Sequence, residues 1–141
     1  MERIIKLLII ILFCAIITIN PSVAIDEQIN LSTLITAQNV SFENCYKVFN
    51  TDNISLFYLT IASINANRFK IDEIQSHSGY ILFTAVNKQF LATVSNVNTN
   101  QAMLKITPVD GNYYFQPGIV SNIFKYIQNN GNQKPVNLNF N

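Results

Sequence analysis

The chain predicts an α+β fold: a two-layer sandwich in which a four-stranded antiparallel meander carries two helices packed on one face, in the order α-β-β-β-β-α. Three observations predict it. Residues 79–106 alternate apolar and polar side chains through consecutive strand-like runs. Ile54, Phe57, Ile61 and Ile64 recur at helical spacing, and so do Ile119, Val120, Ile123, Phe124 and Ile127 near the other end. A sheet with one apolar face and two helices with one apolar stripe each must bury those surfaces against one another.

The first 24 residues stand apart from that domain. Arg3 and Lys6 supply positive charge, Leu7 to Ile19 is almost wholly apolar, and Ser22 and Ala24 are the small residues of a cleavage site. This is the pattern of a secretory signal peptide cut after Ala24, so the chain is expected to be secreted or periplasmic. The alternative is an uncleaved membrane anchor, against which the apolar run is shorter than the roughly 20 residues a spanning helix needs. Cys14 lies within the apolar run rather than at its end, so it does not mark a lipidation site.

Residues 25–44 show weak periodicity and read as a poorly ordered lead-in, with a short helix or a docking strand as the exceptions to test. Residues 43–50 contain Tyr46, Val48 and Phe49 and read as an extended segment. Asp52 is a good N-cap for the first helix, whose stripe Tyr58, Leu59 and Ala62 widen and which stops at Asn65–Asn67. Residues 68–74 alternate as the first strand of the meander. Their parity breaks between Ile71 and Ile74, which predicts a bulge near Asp72 and Glu73.

Residues 76–79 form a turn into the central hairpin. Its strands, 80–86 and 89–95, are rich in β-branched and aromatic residues. A two-residue loop at Asn87 and Lys88 sets Val86 opposite Gln89, Ala85 opposite Phe90, Phe83 opposite Ala92 and Ile81 opposite Val94. One face is then Ile81, Phe83, Ala85, Phe90, Ala92 and Val94, all apolar; the other is mixed. A loop at Asn98–Asn100 brings Leu104 opposite Val94 and Ile106 opposite Ala92, so the apolar face extends across another strand. That strand ends at Pro108, a turn follows at Asp110–Asn112, and Pro117 suits the first turn of the second helix. Asn129, Asn130 and Gly131 end this helix, and residues 131–141, nearly devoid of apolar side chains, read as a disordered tail. Residues 45–130 thus make one domain, of a size that supports a single core.

Composition excludes several function classes. Beyond the leader, acids and bases balance, so there is no electrostatic pull on nucleic acid. Asparagine makes up about a seventh of the chain, which reads as compositional bias. No group of Cys, His and carboxylates has metal-ligand spacing, no Gly-rich phosphate loop exists, and no cofactor is expected. Cys45 is the single cysteine after the leader, so an internal disulfide is impossible and a buried inert thiol is expected. His77, the only histidine, sits in a polar turn. Asp72 and Glu73 are adjacent on a strand and should point to opposite faces, unable to act as an acid–base pair. Enzymatic activity is not expected.

Two surfaces remain as candidates. Tyr80, Leu82, Leu91 and Met103 are large apolar residues on the mixed face of the sheet, where they would meet a protein partner unless the lead-in covers them. Alternatively, Phe57, Tyr113, Tyr114, Phe115 and Phe124 would line a groove between helices and sheet that carries a small apolar ligand. The run Arg68-Phe-Lys-Ile-Asp-Glu-Ile-Gln-Ser-His-Ser-Gly-Tyr-Ile-Leu-Phe83, preceded by a helix, resembles the small domains of envelope proteins typified by the BamC outer-membrane assembly lipoprotein. The resemblance spans residues 52–129. It implies a non-enzymatic accessory of the bacterial cell envelope whose partner is another envelope protein. This chain differs in having no cysteine at the end of its leader and only one such domain.

Overall fold

The structure, a computed structural model, describes residues 31–131. The leader expected at 1–24 and the tail after Gly131 lie outside the described residues. The fold is mixed α+β with an antiparallel sheet. In chain order the elements are α1 (Leu31–Ile35), β1 (Gln38–Asn39), a 3-10 turn (Phe42–Cys45), β2 (Tyr46–Phe49), α2 (Asn53–Ala66), β3 (Lys70–Gln75), β4 (Tyr80–Ala85), β5 (Lys88–Asn98), β6 (Gln101–Pro108), β7 (Tyr114–Phe115) and α3 (Gly118–Asn130).

The main sheet has five strands rather than the four expected, in the order β2-β6-β5-β4-β3; β1 and β7 form a separate two-stranded pair. The added strand is β2, antiparallel to β6, with Lys47 opposite Leu104 and Phe49 opposite Ala102. Four residues are too few for an alternation to stand out, and what makes this segment a strand is its distant partner. Residues 31–44 also depart from the poorly ordered lead-in expected: α1 touches α3, and β1 pairs Gln38 with Phe115 and Asn39 with Tyr114.

The sidedness of the sheet is as the alternation predicts. Ile81, Phe83, Ala85, Phe90, Ala92, Leu104 and Ile106 are all buried, and their strand neighbours are only partly so. Leu104 pairs with Val94 and Ile106 with Ala92. The central hairpin differs in register by two residues. Phe83 lies opposite Phe90, Ile81 opposite Ala92 and Ala85 opposite Lys88, because the loop is Val86-Asn87. Both loop residues have positive φ (47° and 60°), as a hairpin turn that follows the strand twist requires. Lys88 is drawn into the strand instead, where its ammonium reaches the Asn112 carbonyl at 2.6 Å and the Asp110 carboxylate at 3.2 Å. A two-residue shift keeps parity, so every side chain stays on its face. The bulge is present, with the β3–β4 register shifting between Ile71 and Glu73.

Asp52 caps α2 as expected, its carboxylate accepting from the Ser55 amide at 2.9 Å and the Ser55 hydroxyl at 2.7 Å. The buried stripe of α2 is Leu56, Phe57, Thr60, Ser63 and Ile64, whereas Ile54 and Tyr58 are 65% and 63% exposed. Apolar residues encircle this helix, so composition does not point to one face. Two small polar residues take the inner face because their hydroxyls find acceptors: Thr60 donates to the Leu56 carbonyl at 2.7 Å and Ser63 to the Ile123 carbonyl of α3 at 3.3 Å. α3 buries the stripe predicted for it, with Asn122 and Lys125 exposed. Side chains from α2, α3 and the apolar sheet face form one continuous core cluster.

Candidate functional site

The opposite face of the sheet is built from the remaining parity of each strand. Leu82 of β4 and Leu91 of β5 are direct cross-strand partners at its centre, and Tyr80 faces Thr93 beside them. Lys105 and Met103 of β6 continue the surface, opposite Thr93 and Ser95. Tyr80, Leu82, Leu91 and Met103 are all partly exposed, so the four predicted contact residues do share one face. The described part of the lead-in does not lie across them: it pairs with β7 and meets α3.

β2 adds two residues that the sequence did not nominate. Val48 sits opposite Met103 and Tyr46 opposite Lys105, 45% and 39% exposed respectively. Their alternation is visible in residues 46–49 only once the strand is known to be there.

The β3 side of this face is a polar rim. Asp72 accepts from the Thr84 hydroxyl at 2.6 Å and the Gln89 amide at 3.3 Å, and pairs with Lys70 at 2.9 Å. Glu73 accepts from the Tyr80 hydroxyl at 2.7 Å and the Gln75 amide at 3.0 Å. Both acids therefore turn to the mixed face, contrary to the strict alternation expected, because Asp72 is itself the extra, unpaired residue of the bulge between Ile71 and Glu73. The Thr84 hydroxyl and the Lys70 ammonium hold the Asp72 carboxyl below its usual range, and the Glu73 carboxylate pushes the Tyr80 phenol up. The face thus has an apolar centre bordered on its β3 side by hydrogen-bonded polar groups.

The aromatic groove does not assemble. Phe115 is buried edge-on against Phe90 at 5.1 Å, and Tyr113 leans on it at 6.5 Å. Phe124 packs on Phe49 at 6.0 Å, and Phe57 on Tyr58 at 5.9 Å. Tyr114 points outward, 55% exposed. A cavity of about 400 Å³ touches Phe124 and one of about 220 Å³ touches Phe57; neither is lined by Tyr113, Tyr114 or Phe115. The pairing of β1 with β7 fixes this arrangement by turning Phe115 inward and Tyr114 outward.

Cys45 and His77 do not meet. Cys45 adjoins β2 and His77 follows β3, at opposite edges of the sheet, four strand spacings or roughly 19 Å apart. Cys45 is fully buried, its thiol 3.6 Å from the Ser41 carbonyl, and burial pushes its pKa up to about 11. Unfolding releases that thiol to its ordinary value near 9.0, so the unfolded chain loses its proton first. Stability is therefore unaffected below pH 9 and falls as pH rises toward 11. Urea unfolding across this range should show the decline relative to Cys45→Ala, which removes the group. Iodoacetamide at neutral pH should label the unfolded chain at least about tenfold faster than the folded one.

Among the described residues no group of three or more His, Cys, Asp and Glu side chains is placed to hold a metal ion, and no helix is long and apolar enough to cross a membrane. No protein-family model matches the chain, and no curated protein is significantly similar to it.

Proposed function

We propose that this chain is a non-enzymatic binding module of the bacterial cell envelope, exported by its N-terminal leader, which docks another envelope protein on the open face of its sheet. Both long helices lie on the other face in this reading, completing a two-layer sandwich and leaving the Leu82–Leu91 face to the partner. One observation carries it: Leu82 and Leu91 pair at the centre of the open face with Tyr80 beside them, Met103 and Val48 pair nearer the β2 edge beyond Thr93 and Lys105, and no described element covers either pair. Exposed apolar surface of this kind is costly in water, and a partner that covers it recovers about 25 cal/mol per Å². The resemblance of residues 68–83 to envelope accessory domains agrees with this placement.

A photo-crosslinking residue placed at Thr93, on the open face, should form a defined adduct in envelope extracts, whereas one placed at Asn122, on the outer face of α3, should not. The double substitution Leu82→Asp, Leu91→Asp should weaken capture of the same partner at least tenfold, while circular dichroism stays unchanged. Equal crosslinking from both positions, or capture that survives the double substitution, would reject the reading. Should that variant unfold, Thr93→Arg places charge on the same face without touching the leucines.

A further inference from the structure

The apolar side of the sheet is incompletely covered at one place. Among the side chains that the central hairpin turns inward, Ile81, Phe83, Ala85, Phe90 and Ala92 are buried, whereas Val94 is only half-buried. Its neighbours explain this. Leu104 flanks it on β6, but on the other side its amide donates at 2.8 Å to Gly79, which has no side chain. Glycine is needed there: φ is +70°, and the Val94 carbonyl oxygen lies where a Cβ would meet it. The turn between β3 and β4 thus leaves a gap on the inner side of the sheet.

α2 roofs this gap without filling it. Asp52 caps the helix, so its first turns pass over Val94, and a cavity of about 220 Å³ remains. Phe57 and Val94 line it, and Ile54 and Tyr58 line its mouth, 65% and 63% exposed. No charged side chain is among the lining residues, and α2 carries none from Asn53 to Ala66. The Asn53 amide and the Tyr58 and Ser76 hydroxyls also border the space, with no hydrogen bond to another described residue. Apolar residues all round a helix are the mark of one that is covered on both sides.

Size and charge narrow the occupant. A dry apolar cavity of about 150 Å³ takes benzene, so this larger one suits a bicyclic ring of the size of indole. An ionised group would lose its water there and gain no counter-ion. One hydroxyl or ring N–H, by contrast, would find a partner at the mouth. A protein partner needs far more surface, roughly 800 Å² on each side, than Ile54 and Tyr58 expose beside the cavity.

We propose that this cavity binds a small, uncharged, mainly apolar molecule about the size of a bicyclic aromatic ring, seated on Val94 and Phe57 with its one polar group at the mouth. Phe57 is the member of the expected aromatic groove that this site retains.

Indole is the probe. Titrated into isotope-labelled chain recovered from its host, it should shift the amides of Ile54, Phe57, Tyr58 and Val94 along one saturating curve. Half-saturation should fall below about 1 mM, within reach of a ligand of so few atoms. Val94→Phe puts a ring into the cavity and should weaken binding at least about tenfold, while β6 stays protected from hydrogen exchange. Should that variant unfold, Ile54→Arg sets a charge at the mouth on an exposed side chain and should have the same effect. Absence of saturation up to the solubility limit of indole would overturn the proposal, as would binding that survives the substitution in a folded variant. Shifts centred on other residues would overturn it too. So would indole-3-carboxylate binding as tightly as indole, because the site is argued to reject charge. A defined protein adduct from a photo-crosslinking residue at Ser76 in envelope extracts would also overturn it, assigning the cavity to a partner's anchor side chain. The double substitution Leu82→Asp, Leu91→Asp alters the other face and should leave indole binding unchanged, so the two readings fail independently.

Discussion

Phe90→Ala is expected to lower unfolding stability by about 3–5 kcal/mol, the range for removing a buried ring from a packed core. Phe90 has no exposed surface. It stacks on its cross-strand partner Phe83 with centroids 5.5 Å apart and receives Phe115 edge-on at 5.1 Å; Phe83 in turn stacks on Phe69 at 6.0 Å. The ring is thus the junction between the hairpin and the β7 segment, and alanine leaves a void that the two rigid rings against it, Phe83 and Phe115, cannot close by small movements. A domain of this size has a total stability of about 5–15 kcal/mol, so the variant approaches the point of unfolding. Urea denaturation measures it: the midpoint should fall sharply at unchanged slope. A loss below about 1 kcal/mol would mean that the ring is not held in this junction.

Gly79→Ala comes next, and its mechanism can be isolated by comparison. Gly79 ends the turn between β3 and β4 with φ +70°, and a Cβ there would lie 2.8 Å from the Val94 carbonyl oxygen. The left-handed backbone costs alanine about 1–2 kcal/mol over glycine. The clash adds to this, because the obstructing atom is backbone and its strand is held in the sheet: the Gly79 carbonyl itself accepts from the Val94 amide at 2.8 Å. Gly111 has nearly the same φ, +69°, with nothing within 4 Å of the would-be Cβ. Gly111→Ala should therefore cost only the conformational part, and Gly79→Ala distinctly more, about 2–4 kcal/mol in all. Thermal unfolding of both variants against the parent chain reads the difference. Equal losses would show that the approach to Val94 relaxes freely.

The contrast between what local pattern reveals and what it conceals follows from the range of each interaction. Alternation from Ile81 to Ile106 was legible because burial on one face constrains every second residue, and a register error of two residues leaves that set unchanged. The exact partner of Phe83 was not legible, since it depends on whether Val86 accepts a positive φ and whether Lys88 finds Asp110 and Asn112, contacts supplied by a loop more than twenty residues on. The inner face of α2 was misread for a similar reason. Thr60 and Ser63 become good core residues only when the Leu56 and Ile123 carbonyls are there to receive their hydroxyls. At the candidate site, Leu82, Leu91, Tyr80 and Met103 followed from parity alone. Tyr46 and Val48 required the knowledge that β2 pairs with β6, and the shared orientation of Asp72 and Glu73 required the consequence of the bulge, not only its location.

The placement of β2 beside β6 has a bearing on how the molecule comes into being. β3 through β6 are each joined to the next by a short turn, so each finds its neighbour as soon as it is synthesised. β2 is made before all of them, yet its one neighbour in the sheet among the described residues, Gln101–Pro108, is the last of these five strands to be made. From the emergence of Tyr46 until that stretch is complete, the earliest strand has no template, and the loop to be closed costs more entropy than any hairpin in the meander. Assembly of this sheet therefore finishes where its translation began.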